Sequence, residues 1–280
     1  MSELTSSSRR RFLQALLAVG AAGSCIGNSG RLLAGSTTVV KKDEASSVHS
    51  QLKMGNEEIL ILIYPGFTAI DAIGPEYILS GMMGASVRLV AKTAKPLKSE
   101  SGIEFVPHLT FADCSRKPTL FIVPGGVAGT IAAIEDPATL RFIREVGGAS
   151  KIAGSVCTGS LLLGSAGLLQ GYAATSHWQT LDLLRMVGAE PKNERVVFDR
   201  NRVTGAGVTA GLDFALELVK YFRGDFYAKG MQLLAQYDPQ PPFPGGGNPM
   251  TADPSVVALL NEMHQPLTDK FSTAIKKGLR

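Results

Sequence analysis

Short apolar segments alternate with helix-like segments through most of the sequence, and this alternation constrains the fold more than any other feature. Residues 59–63 are continuously apolar and lead into a Pro-Gly pair, without the apolar and polar alternation of a half-exposed strand. A strand of this kind is covered on both faces, as in a parallel sheet between helices. Further strands are expected at 85–93, 119–123 and 152–156. The sequence therefore predicts an α/β fold, a three-layer sandwich around a mostly parallel sheet.

Turn and capping signals predict the remaining elements. Gly102 indicates the turn of an antiparallel excursion within residues 101–111. Asp136 and Pro137 are typical of the first residues of a helix, which we expect over 136–148. Further expectations are a helix within 69–84, a helix over 178–188, a hairpin over 195–205, a helix from 209 that ends at 224 or continues to 237, and a last helix over 254–264.

The N-terminus resembles a twin-arginine export signal. Arginines at 9–11 precede Phe12 and Leu13, and the following run of small apolar residues is too short to span a bilayer permanently. The resemblance implies that residues 1–35 are a signal peptide and that the folded protein is delivered to the periplasm, meeting the membrane only transiently during export. An arginine-rich disordered tail with a chance apolar run is the alternative.

Composition excludes some classes of function. The formal charge is +4, but residues 1–35 carry four arginines and one glutamate, which leaves 24 basic and 23 acidic residues in the remainder. A balance this close to neutral gives no reason to expect a nucleic-acid partner. The four histidines are isolated, and no pair has the spacing of helical metal ligands, so we expect no metal site.

Cys157 lies where an apolar strand is expected to pass into a helix. Ser155 and Gly159 flank it two positions to either side, as a sharp and strained strand-to-helix turn requires. A thiol at a helix N-terminus meets free N–H groups and the positive end of the helix dipole, and both favour the thiolate. The pattern predicts a nucleophile elbow at Cys157. A structural cysteine in the core is the alternative.

Two more loops are expected beside Cys157, because the carboxyl ends of parallel strands meet at one edge of the sheet. One carries Asp71, which could supply or accept a proton with a raised pKa, or could act as a helix cap. The other carries Gly125 and Gly126. We expect their backbone, with the amide of Thr158, to stabilise developing negative charge, although a glycine pair can also serve only to end a strand.

Three further residues are candidates for the pocket, each with a structural alternative. Glu76 follows Asp71 by a little over one helical turn and could reach the same site or lie on a solvated helix face. His177 could line the pocket or act as a core or capping residue. Trp178 is more typical of packing than of ligand recognition.

Several motifs together make the chain similar to the ThiJ/PfpI superfamily, whose fold is of the flavodoxin-like, class I glutamine-amidotransferase-like type. Within that superfamily the resemblance is greatest to the subgroup that hydrates isonitriles. The motifs are DAIGPE at 71–76, VPGG at 123–126, SVCTGS at 155–160, ATSHW at 174–178 and NERVVFDRNRVTGAGVTAGLDFAL at 193–216.

The resemblance implies a homodimeric lyase that adds water to a small-molecule isonitrile and yields an N-substituted formamide through a thioimidate on Cys157. Asp71 would be the essential acid, Thr158 would support both residues, and no metal or organic cofactor would be needed. Protease-like members have His where this chain has Thr158, and redox-sensing members have Glu where it has Asp71. Both differences point away from those groups.

Two alternatives to hydration remain at this stage. One is a ligand-binding or stress-sensing protein without catalysis, and the other is a cysteine enzyme that acts on reactive carbonyls. For the reaction implied by the resemblance, we expect residues 36–57 to form a linker, 58–237 a ThiJ/PfpI-like catalytic domain, and 238–280 a Pro/Gly-rich segment and a C-terminal helix packed on that domain.

Overall fold

The structure is a computed structural model that describes residues 54–279. The predicted signal peptide and most of the predicted linker lie outside this range. From Gly55 onward the chain forms one compact unit. None of its helices within the described range is long and apolar enough to cross a membrane.

The strands confirm the predicted alternation and extend it. In chain order they are β1 (Glu58–Leu62), β2 (Ser86–Ala91), β3 (Leu97–Lys98), β4 (Glu104–Phe105), β5 (Leu109–Thr110), β6 (Leu120–Val123), β7 (Ile152–Val156), β8 (Ala173–Ala174), β9 (Glu190–Pro191), β10 (Val196–Asp199) and β11 (Arg202–Gly205).

The helices lie between the strands and at the C-terminal end. They are α1 (Ala69–Leu79), α2 (Ala128–Ile134), α3 (Pro137–Phe142) with a π-helical turn (Ile143–Gly147), α4 (Gly159–Ser165), a 3₁₀ helix (Trp178–Val187), α5 (Ala210–Arg223), α6 (Asp225–Leu234) and α7 (Pro254–Gly278).

Seven strands form the central sheet, in the order β10-β11-β7-β6-β1-β2-β5. Every neighbouring pair in it is parallel except β10 and β11, which form the predicted hairpin. All residues of β6 and β7 are buried, as are four of the five residues of β1, because helices cover both faces. The mostly parallel α/β sandwich predicted from the sequence is confirmed.

Some elements differ from the expectation. The antiparallel excursion is present as β3 and β4, but the chain then returns to the main sheet, where β5 pairs in parallel with β2. The helix expected over 178–188 is of the 3₁₀ type, and at its start Thr180 N–H bonds the carbonyl of His177 three residues back. Gly224, with a φ of 88°, ends α5, so α6 is a separate helix.

The last helix is longer than expected. The sequence indicates an end near residue 264 because Pro266 follows, and a proline inside a helix removes a hydrogen bond. In the structure α7 continues past Pro266 to Gly278, and its second half buries Phe271, Ala274 and Ile275. Tertiary packing therefore outweighs the local cost of the proline. Helix α7 packs against the 3₁₀ helix and α2.

Candidate active site

Cys157 occupies a strained turn between β7 and α4. Its φ of 59° is unusual for a residue that carries a side chain. A conformation of this kind costs about 1–3 kcal/mol and persists only where surrounding interactions offset that cost. Its N–H donates to the carbonyls of Gly205 and Ala206 at 3.0 and 2.8 Å. Its carbonyl accepts from the hydroxyls of Ser160 and Ser176 at 3.1 and 3.3 Å. These bonds hold the sharp turn that the sequence predicts.

Asp71 lies in the first turn of α1 and is fully buried. Its Oδ2 accepts a hydrogen bond from the N–H of Gly125 at 2.9 Å, whereas its Oδ1 is buried with no hydrogen-bond partner among the described residues. The cap position of α1 belongs to Thr68, so the helix-cap alternative for Asp71 is wrong. Burial, with a smaller contribution from the charge of Glu100, raises the pKa of Asp71 to about 7.

The thiol of Cys157 interacts with the carboxyl of Asp71, and the two groups affect each other's ionisation. Burial raises the pKa of the Cys157 thiol, and the negative charge of Asp71 raises it further. The backbone N–H groups of Val208 and Thr158 lower it, but by less. The helix N-terminus was expected to favour the thiolate, but burial of the thiol outweighs the amides and favours the protonated form. Asp71 is the member of the pair that titrates near neutral pH.

Thr158 joins the Cys157 turn to the loop after β6. Its Oγ1 donates to the carbonyl of Gly126 at 2.9 Å and accepts from the N–H of the same residue at 3.0 Å. It also lies 3.2 Å from Oγ1 of Thr130, whose hydroxyl is in turn 2.8 Å from that of Tyr64. All these groups are buried, so the network fixes the two loops relative to each other.

The two glycines act differently from the prediction. The N–H of Gly125 is bonded to Asp71 and that of Gly126 to Thr158, so in this geometry neither faces a ligand to stabilise negative charge. A Cβ on Gly125 would lie 2.7 Å from the N of Thr158 and 2.8 Å from Oδ2 of Asp71. Gly125 thus permits the close approach of the two loops, and the pair positions Asp71 and Thr158.

A cavity of about 120 Å³ opens above Cys157. A larger cavity of about 690 Å³ lies elsewhere and is not lined by Cys157, so the smaller one is the candidate site; Asp71 lines neither cavity and reaches the smaller one through the Cys157 thiol. The residues that line the smaller cavity are Thr68, Glu100, Gly126, Val127, Cys157, Thr158, His177, Gln179, Thr180, Val208, His264, Leu267, Thr268 and Phe271.

His177 has both of the roles that the sequence left open. It lines the cavity, and its Nδ1 accepts the N–H of Gln179 at 3.4 Å as the cap of the 3₁₀ helix. Burial lowers its pKa. Trp178 and Glu76 are not among the lining residues. The Trp178 ring packs 5.9 Å from that of His177, and Glu76 is half-buried on α1.

Several lining residues were not predicted from the sequence. Glu100 enters on the β3–β4 hairpin, and His264, Leu267, Thr268 and Phe271 enter on α7. No local motif marks Glu100. The residues beyond 264 were missed because the helix was expected to end there. Cys114 and Cys157 are both free thiols. No cluster of potential metal ligands occurs within residues 54–279.

Comparison with known proteins identifies relatives of similar sequence and fold. The model of the DJ-1/PfpI family matches residues 57–221. An isonitrile hydratase from Pseudomonas putida is 45% identical over 202 residues, which is 71% of this chain and 86% of that protein. The crystal structure of a ThiJ/PfpI family protein from Pseudomonas syringae is 46% identical, with a TM-score of 0.77, and covers 79% of this chain and 91% of its own.

A more distant relative combines a similar region with further sequence. The HTH-type transcriptional regulator GbdR of Pseudomonas aeruginosa is 35% identical over 173 residues, which is 58% of this chain and only 46% of the regulator. The family model that matches residues 57–221 and the 45% identity to a relative of which this chain covers 86% show that this chain belongs to the DJ-1/PfpI family.

Proposed function

We propose that the protein is a lyase that hydrates isonitriles to N-substituted formamides, with Cys157 as nucleophile and Asp71 as the group that moves protons. The observation that carries this proposal is the pairing of the Cys157 thiol with the Asp71 carboxyl. A thiol on a strained turn lies beside a fully buried carboxyl whose Oδ1 has no hydrogen-bond partner among the described residues. The 45% identity to an isonitrile hydratase supports the choice of reaction.

The first half of the reaction uses the shared proton of the pair. Asp71 takes the thiol proton as the sulfur of Cys157 attacks the terminal carbon of the isonitrile R–N≡C. The electron pair that develops on that carbon then takes the proton back from Asp71. The product is a thioimidate, R–N=CH–S–Cys157. A carboxyl with a pKa near 7 suits both transfers, because it accepts and returns a proton at neutral pH at little cost.

The second half adds water to the thioimidate carbon. Asp71 accepts one proton of the water and passes it to the nitrogen, which gives R–NH–CH(OH)–S–Cys157. The C–S bond then breaks as the hydroxyl becomes a carbonyl, and its proton returns to the sulfur. The formamide R–NH–CHO leaves and the starting pair is restored. The backbone N–H groups of Thr158 and Val208 act on the Cys157 sulfur and would stabilise the departing thiolate.

Formamide production from alkyl and aryl isonitriles tests the proposal directly. Wild type should turn over, and Cys157→Ala and Asp71→Asn should lose activity while retaining the native circular dichroism spectrum. Cys114→Ala is the matched control, because Cys114 is also a buried free thiol but does not line the cavity, and it should keep full activity. Wild-type protein without turnover, or full activity in Cys157→Ala, would refute the proposal.

We propose in addition that the mature enzyme is a periplasmic homodimer. The supporting feature for export is the arginine pair at positions 9 and 10, followed by Phe12, Leu13 and an apolar run. Replacement of Arg9 and Arg10 by lysine should retain the protein in the cytoplasm, as fractionation would detect. Light scattering of the purified protein measures its mass, and a monomer would contradict the proposed dimer.

A further inference from the structure

The β3–β4 hairpin carries a carboxylate to the wall of the catalytic cavity. Glu100 follows β3 and lines the cavity together with Cys157. Its backbone N–H donates to the carbonyl of Phe67 at 3.0 Å, and the ring of Phe67 packs edge to face on that of Phe105 in β4, with centroids 5.0 Å apart. The hairpin is therefore fixed against the loop that leads into α1, and Glu100 has a defined place in the wall.

The lining of this cavity combines the carboxylate of Glu100 with the imidazoles of His177 and His264. No lysine or arginine is among the residues that line it within the described part of the chain. Among the described residues, Glu100 is the only one that brings a carboxylate to the lining; Asp71 does not line the cavity, but it interacts with the Cys157 thiol, which does. Burial lowers the pKa of His177 and the charge of His264 contributes to this shift, which keeps the His177 ring neutral at neutral pH. The charge of Glu100 reaches the reacting groups, since it raises the pKa of both Asp71 and Cys157.

We propose that Glu100 determines the charge preference of this site: the cavity favours uncharged or cationic ligands over anions of the same shape. Applied to the reaction proposed above, on which this part depends, neutral or cationic isonitriles are the preferred substrates, and isonitriles with a carboxylate react more slowly. Like charges repel most strongly where water is displaced, and a cavity of about 120 Å³ leaves little room for solvent around a ligand. Because Glu100 itself is exposed, we expect discrimination of about five- to tenfold.

Alkylation of Cys157 measures this selection without any isonitrile. Iodoacetamide and iodoacetate are similar in size and differ in charge, and both react by displacement of iodide by the thiolate. The ratio of their rates cancels any change in the fraction of thiolate, so it reports the penalty on the anionic reagent. Mass spectrometry of the Cys157 peptide at pH 8 and low salt gives both rates separately from Cys114.

Glu100→Gln should raise the ratio of the iodoacetate rate to the iodoacetamide rate about five- to tenfold. Glu104→Gln is the matched control, because Glu104 is an exposed carboxylate on the same hairpin that does not line the cavity, and the ratio should stay within about twofold of wild type. Added salt should narrow the wild-type discrimination. An unchanged ratio in Glu100→Gln, an equal rise in Glu104→Gln, or a native Cys157 that neither reagent reaches would overturn the proposal.

A second measurement compares isocyanoacetate with its methyl ester as substrates. Wild type should favour the ester in kcat/KM, and Glu100→Gln should reduce that preference about five- to tenfold, mainly through KM. A charge-dependent alkylation ratio without hydration of either compound would refute the proposed reaction and leave the charge selection intact. Hydration of both compounds at equal kcat/KM, with an unchanged alkylation ratio, would refute the charge selection alone.

Discussion

Asp71 and Glu57 are both carboxylates withdrawn from solvent, but their surroundings shift their pKa values in opposite directions. Glu57 forms a bidentate ion pair with Arg223, whose side chain is also buried, and this pairing lowers the pKa of Glu57. Asp71 takes part in none of the ion pairs found within residues 54–279, and burial raises its pKa to about 7. A buried acid with a fixed cation serves the structure, whereas a buried acid without one is ready to exchange a proton near neutral pH.

The two carboxylates also differ in what surrounds them. Glu57 precedes β1 and ties this part of the chain to Arg223 at the end of α5, and the ionisation of Arg223 is also influenced by Tyr227 of α6. Asp71 is bonded to the backbone of Gly125 and faces Cys157. A substitution at Asp71 should therefore change activity with little change in folding, and one at Glu57 should do the reverse.

The largest expected effect is that of Asp71→Asn on catalysis. The amide keeps the shape of the carboxyl but cannot accept the thiol proton, so kcat/KM should fall about 10²- to 10⁴-fold. The free energy of unfolding at pH 7 should fall little or should rise, because the variant no longer buries an ionisable acid. Steady-state kinetics and urea unfolding of the same preparation check both. A loss of activity that merely follows a loss of folded protein would mean that Asp71 is structural.

Glu57→Gln should show the opposite pattern. Removal of one partner leaves Arg223 buried with an uncompensated charge, which costs about 3–5 kcal/mol in the free energy of unfolding. Turnover per folded molecule should stay near the wild-type value. A double variant, Glu57→Met with Arg223→Met, is the matched control, because it removes the lone charge and should recover much of the stability. If the double variant were destabilised as much as Glu57→Gln, the effect would come from lost side-chain packing and not from an unpaired charge.

Asp71 and Glu57 should make contributions of opposite sign to the change of stability with pH. The folded-state pKa of Asp71 lies above its unfolded value, so the native state binds more protons and stability falls as the pH rises from about 4 to about 7, by at most about 1.4 kcal/mol per pH unit. The folded-state pKa of Glu57 lies below 4.5, so its contribution is present above that pH and is lost as the pH falls further. Urea unfolding of wild type, Asp71→Asn and Glu57→Gln across pH 3.5–8 tests this. Asp71→Asn should reduce the loss at higher pH, and Glu57→Gln should reduce the loss at low pH. Asp136, Asp199 and Asp253 also contribute to the loss at low pH.

The same contrast shows which features a sequence can reveal. Asp71 and Cys157 were predicted because each follows an apolar strand, and a parallel sheet brings such strand ends together. The pairing of Glu57 with Arg223 was not predicted, because it joins residues far apart in the chain and no local pattern marks either. The sequence predicts a lowered pKa for the Cys157 thiol, whereas burial raises it. The effects of the helix and the amides can be inferred from the motif, but the depth of burial cannot.

The residues that line the cavity also show what the sequence does not predict. The strand and helix alternation fixes the base of the site, but Glu100 depends on how a two-stranded hairpin folds back over the sheet edge. Phe271 and its neighbours depend on a helix that continues past Pro266 because its far half is buried. Residues that create the reactive pair follow from the secondary-structure pattern, whereas residues that select the ligand follow from tertiary packing.

The smallest expected effect concerns the pH profile of activity. The proposed reaction needs one proton on the Cys157–Asp71 pair, carried by the thiol, and a free carboxylate to receive it. With the pKa of Asp71 at about 7, kcat/KM should rise about tenfold per pH unit below that value and level off above it, until the thiol also ionises. Glu100→Gln removes a charge that raises the pKa of Asp71, so it should move the midpoint of this rise to lower pH, while Glu104→Gln should leave it in place. A profile that is flat between pH 5.5 and 8.5 would show that Asp71 does not change protonation in the working enzyme, and its raised pKa would then be a consequence of burial alone.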